Sequence, residues 1–176
     1  MEIHKLNVTQ LREGLQKGEF SPKEILDSTI SRIEELDKKI NAFPIRCYEK
    51  AYEQINKLPK IKDIDFNTHP LFGIPVGVKD LNDIKGVKTT QGSELYKDYV
   101  AENDDNIVAT MRNNGAIFPG KTNVPEHGFG ATTTNKLFGS TNNPYDYNMS
   151  CGASSGGTAA SIASYMLPLA MGSDFA

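Results

Sequence analysis

Residues 151–157 read CGASSGG and set two adjacent serines, Ser154 and Ser155, among glycines. A serine that reacts needs a group to take its proton. None of the three histidines, His4, His69 and His127, is a near neighbour of the pair in sequence. Another base is available in Lys79, which closes the apolar run LFGIPVGVKD at 71–80. A charge at the end of an apolar strand is costly unless it is partnered or used. An ordinary lysine, with a pKa near ~10.4, is a poor base at neutral pH, but burial lowers that value to ~7–8 and makes the amine a proton acceptor. The plainer alternative is that Lys79 ends its strand and pairs with a carboxylate. The serines also have plainer readings, as a helix cap or as part of a phosphate cradle. The cradle lacks the GxxxxGK[ST] pattern and any basic residue after the glycines, and the GxSxG elbow of α/β-hydrolases is absent.

The elements that must position these groups follow from periodicity and punctuation. Val8, Leu11 and Leu15 recur at helical spacing, with Gly18 placed as a stop. SPKE at 21–24 is a capping box with Pro22 at the first helical position, and Ile25, Leu26, Ile30, Ile33, Leu36 and Ile40 continue it as one apolar stripe. RCYEKAYEQINKL at 46–58 predicts a third helix ending at Pro59. After a polar loop, 71–80 reads as a buried strand, DNIVATMRNNG as a helix stopped by Gly115, and AIFPGKT as a strand. A loop from Thr122 to Gly152, a helix in SGGTAASIASYM and a strand in LPLAMGSD complete the order. Strand, helix, strand, loop, helix, strand describes an α/β sheet covered on both faces.

Composition narrows the class. With 38% hydrophobic and 23% charged residues the chain is globular in type. A net charge of −3 leaves no basic footprint for direct nucleic-acid binding. Two cysteines, Cys47 and Cys151, argue against a disulfide framework and for a reducing compartment. The N-terminus is too polar for a secretory signal, and no apolar run approaches the ~18 residues of a membrane span. The expectation is a cytoplasmic protein. Scattered histidines and cysteines offer no metal-ligand spacing, and no cofactor is expected.

PLFGIPVGVKD, GKTNVPE, NPYD, GASSGGTAASIAS and LPLAMGSD occur in this order, and together they resemble the amidase signature family from about residue 8 to the last residue. The resemblance implies an α/β fold, a mixed β-sheet with helices on both faces, of which this chain holds the N-terminal part. Residues 1–60 would form a helical segment, and 61–176 the start of the α/β core of one amidase domain. It implies hydrolysis or transfer of amide groups by a serine–serine–lysine triad. Lys79 matches the base, and Ser154 matches the bridging serine that follows a non-prolyl cis peptide bond, here Ala153–Ser154. Ser155 and Asp174 match supporting positions, and the backbone N–H groups of Phe175 and Ala176 match part of the oxyanion loop. Gly128, Phe129 and Gly130 match the loop lining the acyl side of the substrate pocket, with core packing as the alternative for Phe129. Ser173 falls at a variable position and is expected to pack or bond locally.

The family's nucleophile would fall at position 178, two beyond Ala176, so this chain alone is expected to be inactive. The reading favoured is a free-standing amidase acting on a small-molecule amide, with a homodimer as the expected partner state. One alternative is the A subunit of the tRNA-dependent amidotransferase, which works with partner subunits. VPEHGFG departs from that subunit's usual methionine–aspartate–glutamate–phenylalanine loop. A second alternative is a non-catalytic binding module.

Overall fold

The capping box read at SPKE starts the longest helix of the computed structural model, which describes residues 2–174. Helix α1 (Val8–Lys17) is capped by Asn7, whose side chain accepts from Gln10 N while Gln10 returns the bond, and it stops at Gly18 in the left-handed region. Helix α2 (Pro22–Ile40) begins with the reciprocal Ser21–Glu24 bonds and ends at Asn41, also left-handed. Both starts follow from short polar side chains meeting the orphan N–H groups of a first turn.

The third helix, α3 (Tyr48–Lys57), begins two residues later than the sequence predicts. Ile45–Arg46 instead forms strand β1. Buried Asp37, near the end of α2, explains the difference. It accepts from Ala42 N at 2.6 Å, from Phe43 N at 3.2 Å and from the Arg46 guanidinium at 3.1 Å. These bonds extend the chain away from α2 and deliver it to the sheet edge.

Strand β2 (Val76–Lys79), helix α4 (Asn106–Asn113) and strand β3 (Gly120–Thr122) form a parallel crossover. The strands are shorter than the apolar runs because Pro75 and Pro119 interrupt the ladder with no N–H to donate. The expected loop from Thr122 to Gly152 contains two small antiparallel pairs. These are β4 (Thr134–Asn135) with β5 (Gly139–Ser140), and β6 (Asn142–Asn143) with β7 (Asp146–Ser150). Three of the four strands are only two residues long, too short for any alternation to be read, and β7 is exposed along its length. Helix α5 (Gly156–Ala163) and strand β8 (Leu169–Ala170) follow.

The main sheet runs β1-β3-β2-β8, with β2 parallel to both neighbours and β1 antiparallel to β3. It is a mixed sheet with helices on both faces. Val76 and Val78 face one cluster, built with Leu11, Leu15, Ile25 and Val108 from α1, α2 and α4. Gly77, between them in the pleat, faces the other side, where an added Cβ would lie 2.4 Å from Leu167 Cδ1. The cluster containing Leu167 and α5's Ala160 lies on that side. The same alternation sends Lys79 toward the α5 side.

Candidate active site

Lys79 ends β2 with none of its surface exposed. Its Nζ lies 2.7 Å from Ser154 Oγ and 2.7 Å from Ser173 Oγ. Burial pushes the Lys79 pKa below the ordinary lysine value, while the Asp174 carboxylate acts to raise it. The lysine is therefore held among hydroxyls in a setting that makes its ammonium easier to deprotonate than an ordinary lysine's. A buried lysine paired directly with a carboxylate is found on the neighbouring strand. Lys121 Nζ sits 2.7 Å from Asp80 Oδ1, and both side chains are buried.

The serine turn is fixed from several directions. The Ala153–Ser154 peptide is cis, as the resemblance implies. Thr133 bonds Gly152 O through its N–H at 3.1 Å and its hydroxyl at 2.8 Å, and its Oγ1 accepts from Gly156 N. At Gly157 the backbone approach is so close that a Cβ would lie 2.3 Å from Asn123 N and 2.7 Å from Ala42 O. Only glycine allows α5 to start here. Thr158 Oγ1 donates to Met171 O at 2.8 Å, so Thr122 Oγ1, 2.8 Å away, donates to it. That chain of hydroxyls ties β3, α5 and the segment after β8 together beneath the lysine.

Ser155 occupies the N-cap position of α5, but its hydroxyl makes no cap bond. It donates to Ser173 O at 3.1 Å and accepts from Ser173 N at 3.0 Å. The capping reading of the pair is thus replaced by a link between the serine turn and the segment after β8. Ser173 is the site residue that the sequence reading passed over. It was expected to pack or bond locally and instead bonds Lys79, from the segment that follows the short strand β8.

The loop matched to the substrate pocket lies beside Leu81, just after β2, where a Cβ on Gly128 would be 2.9 Å from Leu81 Cδ1. Gly128 and Gly130 both have positive φ, and Phe129 is 74% exposed. Core packing, the alternative for Phe129, does not occur. His127 belongs to this loop and bonds Gln91 through its backbone N–H to Gln91 O at 2.7 Å. Phe175 and Ala176, matched to the oxyanion loop, lie outside the described residues.

A cavity of about 710 Å³ lies elsewhere, lined by residues that include Lys50, Gln54, Phe72, Ile84, Arg112 and Ile117. It shares no residue with the Lys79 cluster, so volume alone does not mark the chemistry. Among the described residues no group of three or more histidine, cysteine or acidic side chains is arranged to hold a metal. No helix there is long and apolar enough to cross a membrane.

The Lys79 amine thus lies against two serine hydroxyls at the end of a parallel strand, and comparison with known proteins gives the family. The family profile described as Amidase matches residues 24–176. The chain belongs to the amidase signature family. It is similar to the A subunit of the glutamyl-tRNA(Gln) amidotransferase of Natranaerobius thermophilus, 37% identical over 174 residues, covering 99% of this chain and 35% of that protein. Among solved structures, it resembles 6-aminohexanoate cyclic dimer hydrolase complexed with substrate. The TM-score is 0.87 and the identity 31%, with 97% of this chain and 34% of that one covered. A bacterial aryl acylamidase of the amidase signature family matches with a TM-score of 0.86 and 29% identity, covering 95% of this chain and 35% of that one. The chain thus spans about a third of the length of the relatives it matches.

Proposed function

We propose that the protein of which this chain forms the N-terminal part hydrolyses a carbon–nitrogen amide bond of a small molecule. The carrying observation is the 2.7 Å contact between the buried Lys79 amine and Ser154 Oγ, in a chain of the amidase family. Lys79 is the base and Ser154 the relay. A serine at position 178 is the nucleophile, Ser155 and Asp174 support the site, Phe175 and Ala176 offer oxyanion N–H groups, and Gly128–Gly130 lines the acyl pocket.

In this reading the nucleophile's proton passes to Ser154 Oγ as the Ser154 proton passes to the neutral Lys79. A hydroxyl suits that position because it donates and accepts at once. The nucleophile oxygen bonds the acyl carbon, the carbon–nitrogen bond breaks, and the proton returns through Ser154 to the departing nitrogen. Water then releases the acid by the same route. No histidine and no cofactor is required. The helical segment 1–60 and the α/β segment 61–176 belong to one amidase domain, working in the cytoplasm as a free-standing enzyme, with a homodimer as the expected assembly.

A second reading, a glutaminase component supplying ammonia to an amidotransferase with partner subunits, is favoured by the 34–39% identity to several A subunits. The VPEHGFG loop favours the first. The test is the complete protein, continued past Ala176, incubated with an aryl amide and separately with glutamine. Aryl amide turnover abolished by Lys79→Met and by Ser154→Ala is the expected result. Glutamine consumption coupled to misacylated tRNA moves the assignment to the glutaminase reading, and absence of both activities supports a non-catalytic module.

A further inference from the structure

Lys79 Nζ has two hydroxyl partners at equal distance, Ser154 Oγ and Ser173 Oγ, each 2.7 Å away. A neutral amine has one lone pair and two N–H donors. It can accept from only one hydroxyl at a time, and when it accepts from one it can only donate to the other. For Ser154 to pass a proton inward, the lone pair has to point at Ser154, and one N–H then falls on Ser173. With no second acceptor, the amine could turn and present an N–H to Ser154, which blocks the transfer.

The geometry points to Ser173 as a positioning residue that accepts an N–H of Lys79 and so aims its lone pair at Ser154. This inference rests on reading Lys79 as the base. Ser173 is itself held by backbone, because its N–H and C=O both bond Ser155 Oγ, at 3.0 and 3.1 Å. The role of Ser155 is then to set the Ser173 side chain against the lysine. Because the Ser155 link uses only main-chain atoms of Ser173, Ser173→Ala removes the hydroxyl and leaves the link in place. Among the described residues, the charged groups nearest Lys79 in the fold are Asp174, whose carboxylate acts on it directly, and the Asp80–Lys121 pair, which lies on the other side of the sheet.

The test is side-chain NMR on the chain labelled at lysine Nζ and Cε, with the Lys79 signal assigned from Lys79→Arg. An acceptor stabilises the ammonium form more than the neutral amine, so its loss lowers the titration midpoint. In Ser173→Ala the Lys79 midpoint should fall by about one pH unit, and Ser173→Thr, which keeps a hydroxyl, should restore it. Ser155→Ala, which loosens the link, should move it the same way by less and serves if Ser173→Ala does not fold. An unchanged midpoint in folded Ser173→Ala, or a lowered one that threonine fails to restore, overturns the inference. The titration needs no turnover. If Lys79→Met and Ser154→Ala leave amide hydrolysis by the complete protein intact, the reaction assignment fails. If both abolish it while Ser173→Ala leaves the midpoint in place, only the role of Ser173 fails.

Discussion

Lys79 and Lys121 stand one register step apart on neighbouring parallel strands, where Val78 pairs Lys121 and Lys79 pairs Thr122. Neither has exposed surface, yet they meet opposite chemistry. Lys121 gives its charge to Asp80 at 2.7 Å and bonds Lys88 O at 3.1 Å and Thr89 Oγ1 at 2.5 Å. Asp80 in turn accepts from the Thr90 hydroxyl and N–H. Every donor and acceptor is satisfied, and the pair clamps the segment around Thr89–Thr90 to the sheet. Lys79 instead meets hydroxyls that open toward the surface through exposed Ser173 and half-buried Ser154. A buried ion pair fixes structure, because taking the proton from Lys121 would leave the Asp80 carboxylate buried and unmatched. A buried amine among hydroxyls keeps a proton that can be moved.

The comparison breaks most visibly at the ion pair. Asp80→Ala leaves the Lys121 ammonium buried and unmatched, which should cost about 3–5 kcal/mol of folding stability. Domains of this kind typically hold about 5–15 kcal/mol in all, so urea denaturation should show the transition moving far toward zero denaturant. A loss below about 1 kcal/mol would mean that the pair is not a structural anchor. Gly157→Ala comes next, since its Cβ would collide with backbone rather than flexible side chain. It should cost about 1–3 kcal/mol and displace the serine turn from Lys79, visible as a changed Lys79 titration. Ser154→Ala should cost under about 1.5 kcal/mol by the same urea measurement, far less than Asp80→Ala, because its hydroxyl serves the amine rather than the core.

The smallest effect is the dependence on pH. The folded-state pKa of Lys79 is lowered, so the unfolded chain binds more protons between that value and the ordinary one. Stability should therefore rise with pH across this window, and the contribution is missing at lower pH, where both states are protonated. The difference between the parent chain and Lys79→Met isolates the contribution. A difference that falls as pH rises would reverse the sign of the account.

How much of this was legible depended on how local the cause is. The Ser21–Glu24 box and the Gly18 stop act within one turn, and both helices formed where they were read. Lys79 was legible because a charge inside an apolar run is conspicuous. Lys121 carries the same signal in AIFPGKT, beside the Asp of VKD, but the pairing needs the register of β2 and β3. Arg46 was read into a helix because its pull toward Asp37 acts across a turn, outside any periodic pattern. Ser173 was missed because its place is set by Ser155, eighteen residues away. Gly128, Phe129 and Gly130 were matched to a substrate pocket only through resemblance, since an exposed Phe129 and two glycines carry no periodicity.

The central claim is that Lys79 sits in a setting that releases its proton more readily than an ordinary lysine. Titration of the Lys79 side chain by NMR, assigned with Lys79→Arg, tests it most directly. The account predicts a midpoint clearly below the ordinary value of 10.5. A midpoint at or above that value would contradict it.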